Sequence, residues 1–259
     1  MIIGTITLLT LLFGSGSFEL FFLPDFENAV KVGVVEKDRQ KEILVDLKES
    51  NQIFKDFNKE RQSDNKRFEE LNLSRLSKEA DFTAFFAEIQ EKRISMQNDI
   101  IDSRIAIVNK IEPSEWDSIV VFSNTSVANS IEKAQKKSDK KSSKEPEEKF
   151  KNTLKTISQV VVEPESKKNI SEEITRLKNS FDKLSNNLET TYENKKSVIA
   201  IKGASKSDLL NITEELNNLR NLVYEELVIF HMVVKKNTNE EDWKKIMKAF
   251  NKEMTLTNR

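Results

Sequence analysis

The chain has 259 residues, with 37% apolar and 33% charged side chains, five glycines, four prolines and no cysteine. So little Gly and Pro leaves few turns, which disfavours many-stranded sheets and Gly-rich phosphate loops. The lack of Cys excludes disulfides, thiolate metal sites and Cys nucleophiles. Forty-two basic against 43 acidic residues argue against a general nucleic-acid binder, and a single His excludes a multi-His metal site.

Residues 2–13 are apolar apart from Thr and Gly, 14–17 read Gly-Ser-Gly-Ser, and 18–23 are apolar apart from Glu19, ending at Pro24. Residues 2–23 are long enough for a membrane anchor, the expectation adopted for 1–24. A cleaved signal segment and a buried core helix are the alternatives; no Lys or Arg precedes the apolar run, as a signal segment would have. Lys31, Lys37, Arg39 and Lys41 follow it, which places the C-terminal side in the cytoplasm by the positive-inside rule.

Shifted by 127 positions, the chain aligns with itself without a gap. Val34, Val35 and Glu36 meet Val161, Val162 and Glu163; Asp81 meets Asp208, Arg93 meets Arg220, and Trp116 meets Trp243. The apolar positions match as well, including Ile43, Leu47 and Phe54 with Ile170, Ile174 and Phe181. A duplication is expected, with one module over 25–125 and a second over 151–259.

Each unit reads as a first helix, over about 29–72 in the first copy, and a second over about 77–110 carrying Phe82, Phe85, Phe86, Ile89, Met96, Ile100 and Ile107 at helical spacing. Pro113 stops the second helix and a short third begins near Trp116. A helix of 40 residues is about 60 Å long and cannot bury its stripe alone. The two long helices therefore fold back as a hairpin whose open end the Trp helix closes. The fold class is all-α: two elongated helical-hairpin modules after an N-terminal membrane segment. Between them, 126–150 is rich in Lys and Ser and reads as a solvated linker, helical in part.

Arg104-Ile-Ala-Ile-Val-Asn-Lys-Ile-Glu-Pro-Ser-Glu-Trp116, its copy His231–Trp243 and the segment 38–47 resemble the conserved segments of the Spy/CpxP and heavy-metal-resistor proteins. The family's Leu-Thr-x-x-Gln signature is not intact; Ile111-Glu-Pro-Ser-Glu-Trp stands where one would be. The resemblance implies a periplasmic helical hairpin that binds unfolded or partner proteins, opposite to the side indicated by charge; the extracytoplasmic side is adopted.

No nucleophile, phosphate-loop or acid/base motif is found, so no enzymatic activity, catalytic residue, cofactor or metal site is expected. Phe82, Phe85, Phe86, Trp116 and Trp243 are expected in the core, and are the candidate protein-binding surface where exposed. Arg93 and Arg220 lie within apolar stripes and are expected to form structural ion pairs across each hairpin. His231, without a second His, is expected on a helix surface or half-buried. The functional expectation is a membrane-anchored or exported protein-binding module of the cell envelope, chaperone-like or stress-related, taking a protein partner or unfolded client. The alternative is a coiled-coil scaffold that self-associates at the membrane.

Overall fold

The computed structural model describes residues 8–13, 18–138 and 149–255. They are helical, with no strand among the described residues. The elements are α1 (Leu8–Phe13), a 3-10 turn (Phe18–Leu20), α2 (Phe26–Gly33), α3 (Lys37–Leu73), α4 (Glu79–Asn109), α5 (Pro113–Ser138), α6 (Lys151–Val160), α7 (Pro164–Ala200), α8 (Lys206–Asn237) and α9 (Glu240–Thr255).

The long helices begin and end where local chemistry says they must. No Gly or Pro interrupts α3, α4 or α8, and the one Pro in α7 sits at its first position, where the missing N–H costs nothing. Glu36 caps α3 by accepting from the Asp38 and Arg39 amides at 2.8 and 2.6 Å. Glu163 caps α7 through the amides of Glu165 and Ser166. Asp81 and Asp208 accept the amides of Lys78 and Ser205 at 2.8 and 2.9 Å at the starts of α4 and α8. These carboxylates sit where helix N-termini leave unpaired N–H groups. The shift of 127 thus carries the bounds of α3 onto those of α7, and the starts of α4 and α5 onto those of α8 and α9.

In each half the two long helices pair, α3 with α4 and α7 with α8, and two shorter ones pair over the open end, α2 with α5 and α6 with α9. The halves are joined through α4 against α8. Phe82 meets His231, Arg93 meets Tyr224 and Gln97 meets Asn217, so these two helices run antiparallel. The two hairpins therefore lie head to tail, and the tip of each reaches the closed end of the other.

The buried apolar side chains fall into two clusters. One takes Phe82–Ile89 of α4 and Val223–Val234 of α8, with α1, α6, α9 and most of the buried face of α7. The other takes Met96–Val108 of α4 and Leu209–Leu216 of α8, with α2, the first half of α3 and the start of α5. Arg93, Asn217 and Arg220 lie between them.

The membrane-anchor expectation for residues 2–23 finds no support. Among the described residues no helix is long and apolar enough to cross a membrane. The described part of this segment is broken into a six-residue helix and a 3-10 turn. Its apolar side chains are used internally: Leu12, Phe13, Phe21 and Phe22 are at most 1% exposed. Phe13 contacts the rings of Phe68 and Phe85 edge-on at 5.4 and 5.8 Å. The described core, rather than lipid, covers these side chains. Of the expected linker, α5 extends to Ser138, and 139–148 lie outside the described residues.

Because Phe13 fills a closed aromatic site, Phe13→Ala is expected to lower stability by about 3–5 kcal/mol in urea unfolding of the full chain. An unchanged midpoint and slope would show that this segment is not part of the fold in solution.

Candidate functional site

The head-to-tail arrangement is held by pegs that repeat with the 127 shift. Trp116 donates its indole N–H to the carbonyl of Ala200 at 2.8 Å, and Trp243 donates to Leu73 at 3.3 Å. Each tryptophan thus satisfies a C-terminal carbonyl of the other half's first long helix. One position earlier on those helices, Arg104 donates to the carbonyl of Ile199 at 2.8 Å, and its counterpart His231 meets Asn72 at 3.3 Å. Arg104 also donates to the Phe21 carbonyl and lies against the rings of Phe22 and Trp116. Burial lowers its pKa to about 10.

His231 is fully buried, neither on a helix surface nor half-buried, with the edges of Phe82 and Trp243 against its ring. The Asn72 side-chain amide donates to Asn251, which leaves its oxygen to accept from His231 Nδ1–H. The imidazole is therefore assigned as the neutral Nδ1–H tautomer. Burial, and then Lys235, lower its pKa to about 4.

Between the apolar clusters runs a polar layer. Arg93 donates from Nη2 to the Leu12 carbonyl at 2.9 Å and to the Tyr224 hydroxyl at 2.8 Å, and that hydroxyl donates to Leu12 at 3.1 Å. Asn217 donates to Gln97 at 2.8 Å and accepts from Arg220 at 3.2 Å. For Arg93 the expected ion pair across the hairpin is replaced by bonds to a helix-end carbonyl and a phenol. A cation at the C-terminal carbonyls of α1 suits the dipole there.

Phe82, Phe85, Phe86, Trp116 and Trp243 are all buried, at most 5% exposed. The first three form an aromatic stack with Phe13, Phe68 and Tyr224. None of the five presents a surface.

Partly exposed apolar side chains, Phe18, Leu44 and Phe54, lie in a groove of about 1070 Å³ between the segment 18–28 and α3. Phe18, Phe22 and Phe26 line one side, and Leu44, Leu47 and Phe54 line the other. Phe18 stacks on Phe22 at 4.8 Å and meets the Phe54 edge at 5.7 Å. Lys48 and Lys55 stand on the α3 side of the rim, Asp25 and Glu27 on the other.

The second half closes the equivalent place. Phe181, the counterpart of half-buried Phe54, is fully buried against Phe150, which stacks on Phe250 at 5.3 Å. Asp182, the counterpart of Lys55, is held by Lys149 at 2.6 Å. In the first half the position of Phe250 is Ser123, whose hydroxyl is bonded to the Pro24 carbonyl at 2.6 Å. No ring enters from that side. The surface of the helix follows suit, since Leu44 and Val45 become Ser171 and Glu172 in the second half. Sequence reasoning assigned Phe18, Phe22 and Leu23 to a membrane segment and so missed the groove. The apolar pair Leu44-Val45 opposite Ser171-Glu172 was the signal available.

Among the described residues no group of His and acidic side chains is placed to hold a metal ion. No protein-family model, curated protein or solved structure matches the chain.

The depressed His231 pKa has a defined consequence. The unfolded chain takes up a proton near the ordinary value of 6.5, the folded chain only near 4. Stability from this group is thus complete above about pH 6.5 and is lost as the pH falls toward 4. By pH 5, above most carboxylate titration, the loss should reach about 2 kcal/mol. Urea unfolding at stepped pH should show that slope in the native chain and a flat line for His231→Phe.

Proposed function

We propose that this protein works by binding, with the open groove of its first half as the seat for an apolar segment of a partner or unfolded protein. The observation that carries this reading is the difference between two otherwise corresponding halves. One fills the site with Phe150 and Phe250, and the other leaves Phe18, Leu44 and Phe54 partly exposed around it. Exposing aromatic and aliphatic side chains has a cost, and contiguous apolar surface on a folded chain is characteristic of interaction sites. Opposite charges on the two sides of the rim provide orientation without excluding an apolar segment from the floor.

The matching helix bounds and reciprocal pegs support a duplicated hairpin as the origin of the fold, with the second half specialised for stability and the first for contact. The chemistry is binding rather than catalysis: the groove combines aromatic and aliphatic side chains with two lysines and two acids. A self-associating scaffold is the weaker reading, since among the described residues the long-helix stripes are buried within one chain. The groove also supports the chaperone-like role implied by the resemblance to Spy/CpxP proteins.

Light scattering by a reduced, unfolded test protein should be suppressed by the native chain. Phe54→Asp, at a half-buried position, should fold normally and lose most of that effect. Val121→Asp, at an exposed position away from the groove, should retain it. Equal suppression by Phe54→Asp would remove the groove from the function. A concentration-dependent mass that Phe54→Asp abolishes would instead favour self-association.

A further inference from the structure

The groove of the first half has a template inside the same molecule. In the second half Phe181 packs against Phe150 at 5.8 Å, and beside those rings Asp182 meets Lys149 at 2.6 Å. A charge and the ring next to it in sequence, Lys149-Phe150, thus answer a ring and the charge next to it on the long helix, Phe181-Asp182. The shift of 127 puts Phe54-Lys55 at the helix position and Phe22-Leu23 at the facing one. The ring on the helix is kept, the charge beside it is reversed, and residues 22 and 23 bring no charge to meet it.

The rim charges are unequally engaged. Glu27 pairs with Lys31 at 2.5 Å, and Asp25 accepts from Asn28 at 2.8 Å and from Ser126 at 3.0 Å. Lys48 and Lys55 are exposed, and among the described residues neither has a hydrogen-bond or ion-pair partner. The uncommitted charge of the groove is therefore positive. Seven positions put the two lysines on one face of α3, about 10 Å apart along its axis. Asn51 and Phe54, which also line the groove, lie between them. A ligand with one headgroup and an acyl tail meets one lysine, whereas two acids flanking apolar residues meet both. Three residues of extended chain span the same distance, about 10 Å.

We propose that the groove selects an acidic partner: an extended peptide segment whose aromatic and aliphatic side chains pack on Phe18, Leu44 and Phe54, with a carboxylate on each side to pair with Lys48 and Lys55. The inference rests on the groove reading given under Proposed function and adds the sign and spacing of the partner's charges. A carboxylate next to the partner's aromatic residue meets Lys55 as Lys149 meets Asp182, with the signs exchanged. Charge pairs at an open rim steer encounter and reject like charge more than they add affinity. Selection is therefore strongest against basic segments.

The test is fluorescence anisotropy of labelled peptides with Asp-Phe-Leu-Asp, Ser-Phe-Leu-Ser or Lys-Phe-Leu-Lys at the centre, titrated with the full chain. The Asp peptide should bind about fivefold tighter than the Ser peptide at low salt, and the Lys peptide more weakly than either. The difference should close as salt is raised. The double variant Lys48→Glu/Lys55→Glu changes two exposed side chains and should reverse the order. Phe54→Asp should lose all three peptides. Equal binding of the three, lost in Phe54→Asp, or an order unchanged in the double variant, would overturn the charge selection and leave the groove reading in place. Binding of none, or binding that Phe54→Asp does not weaken, would remove both. Laurate should displace the Asp peptide no better than the Ser peptide does; stronger displacement would make an acyl chain the ligand and overturn the proposal.

Discussion

Two indole N–H groups, each bonded to the last carbonyls of the opposite hairpin's first helix, set the arrangement on which the rest of this molecule depends. Helix C-termini leave carbonyls unsatisfied, and a buried one must find a donor. Trp116 and Trp243 supply it at Ala200 and Leu73. In doing so they bring each closed end onto the other hairpin's tip. Once those ends are joined, α4 and α8 must run antiparallel along one another, and their apolar stripes are covered without a second chain.

The same geometry brings Arg93 and Arg220 to the middle of the bundle. A charged residue in an apolar stripe is costly wherever it lies, so its position has to be matched by polar neighbours. Here Gln97, Asn217, Tyr224 and the end of α1 gather at that level. The result is a polar layer that divides the interior in two. Such layers favour one register, because sliding α4 along α8 by a turn would take Arg93 away from the Tyr224 hydroxyl and the Leu12 carbonyl. The N-terminal segment belongs to this layer through the Leu12 carbonyl, which gives that apolar stretch a place inside a helical protein.

Against this near-symmetric frame the departures carry the functional information. At 54 and 181 both halves have Phe, yet one ring is half-buried and the other fully buried. The difference is made by other residues: Phe250 and Phe150 close one site, while Ser123 bonds to Pro24 and leaves the other open. Arg104 and His231 show a related divergence, since both occupy the peg position with different bonds. Arg104 reaches two carbonyls and two rings; His231 holds one amide and stays neutral.

Much of the fold could be read from the residues themselves. Helix periodicity and the scarcity of Gly and Pro act within a few residues, so local sequence determined the long helices and their repeat at 127; the expected first helix over 29–72 is nevertheless broken at 34–36, where Glu36 caps the start of α3 and leaves α2 as a separate helix. Burial of Phe82, Phe85 and Phe86 followed from their spacing. Contacts between positions far apart in sequence were decided only by tertiary structure. An apolar run such as 18–23 suits lipid or a protein core equally well, because transfer out of water rewards both. Whether Arg93 would meet an acid or the Leu12 carbonyl depended on where α1 docks. The groove also needed the assembled chain, because an unfilled site is defined by the side chains that do not reach it.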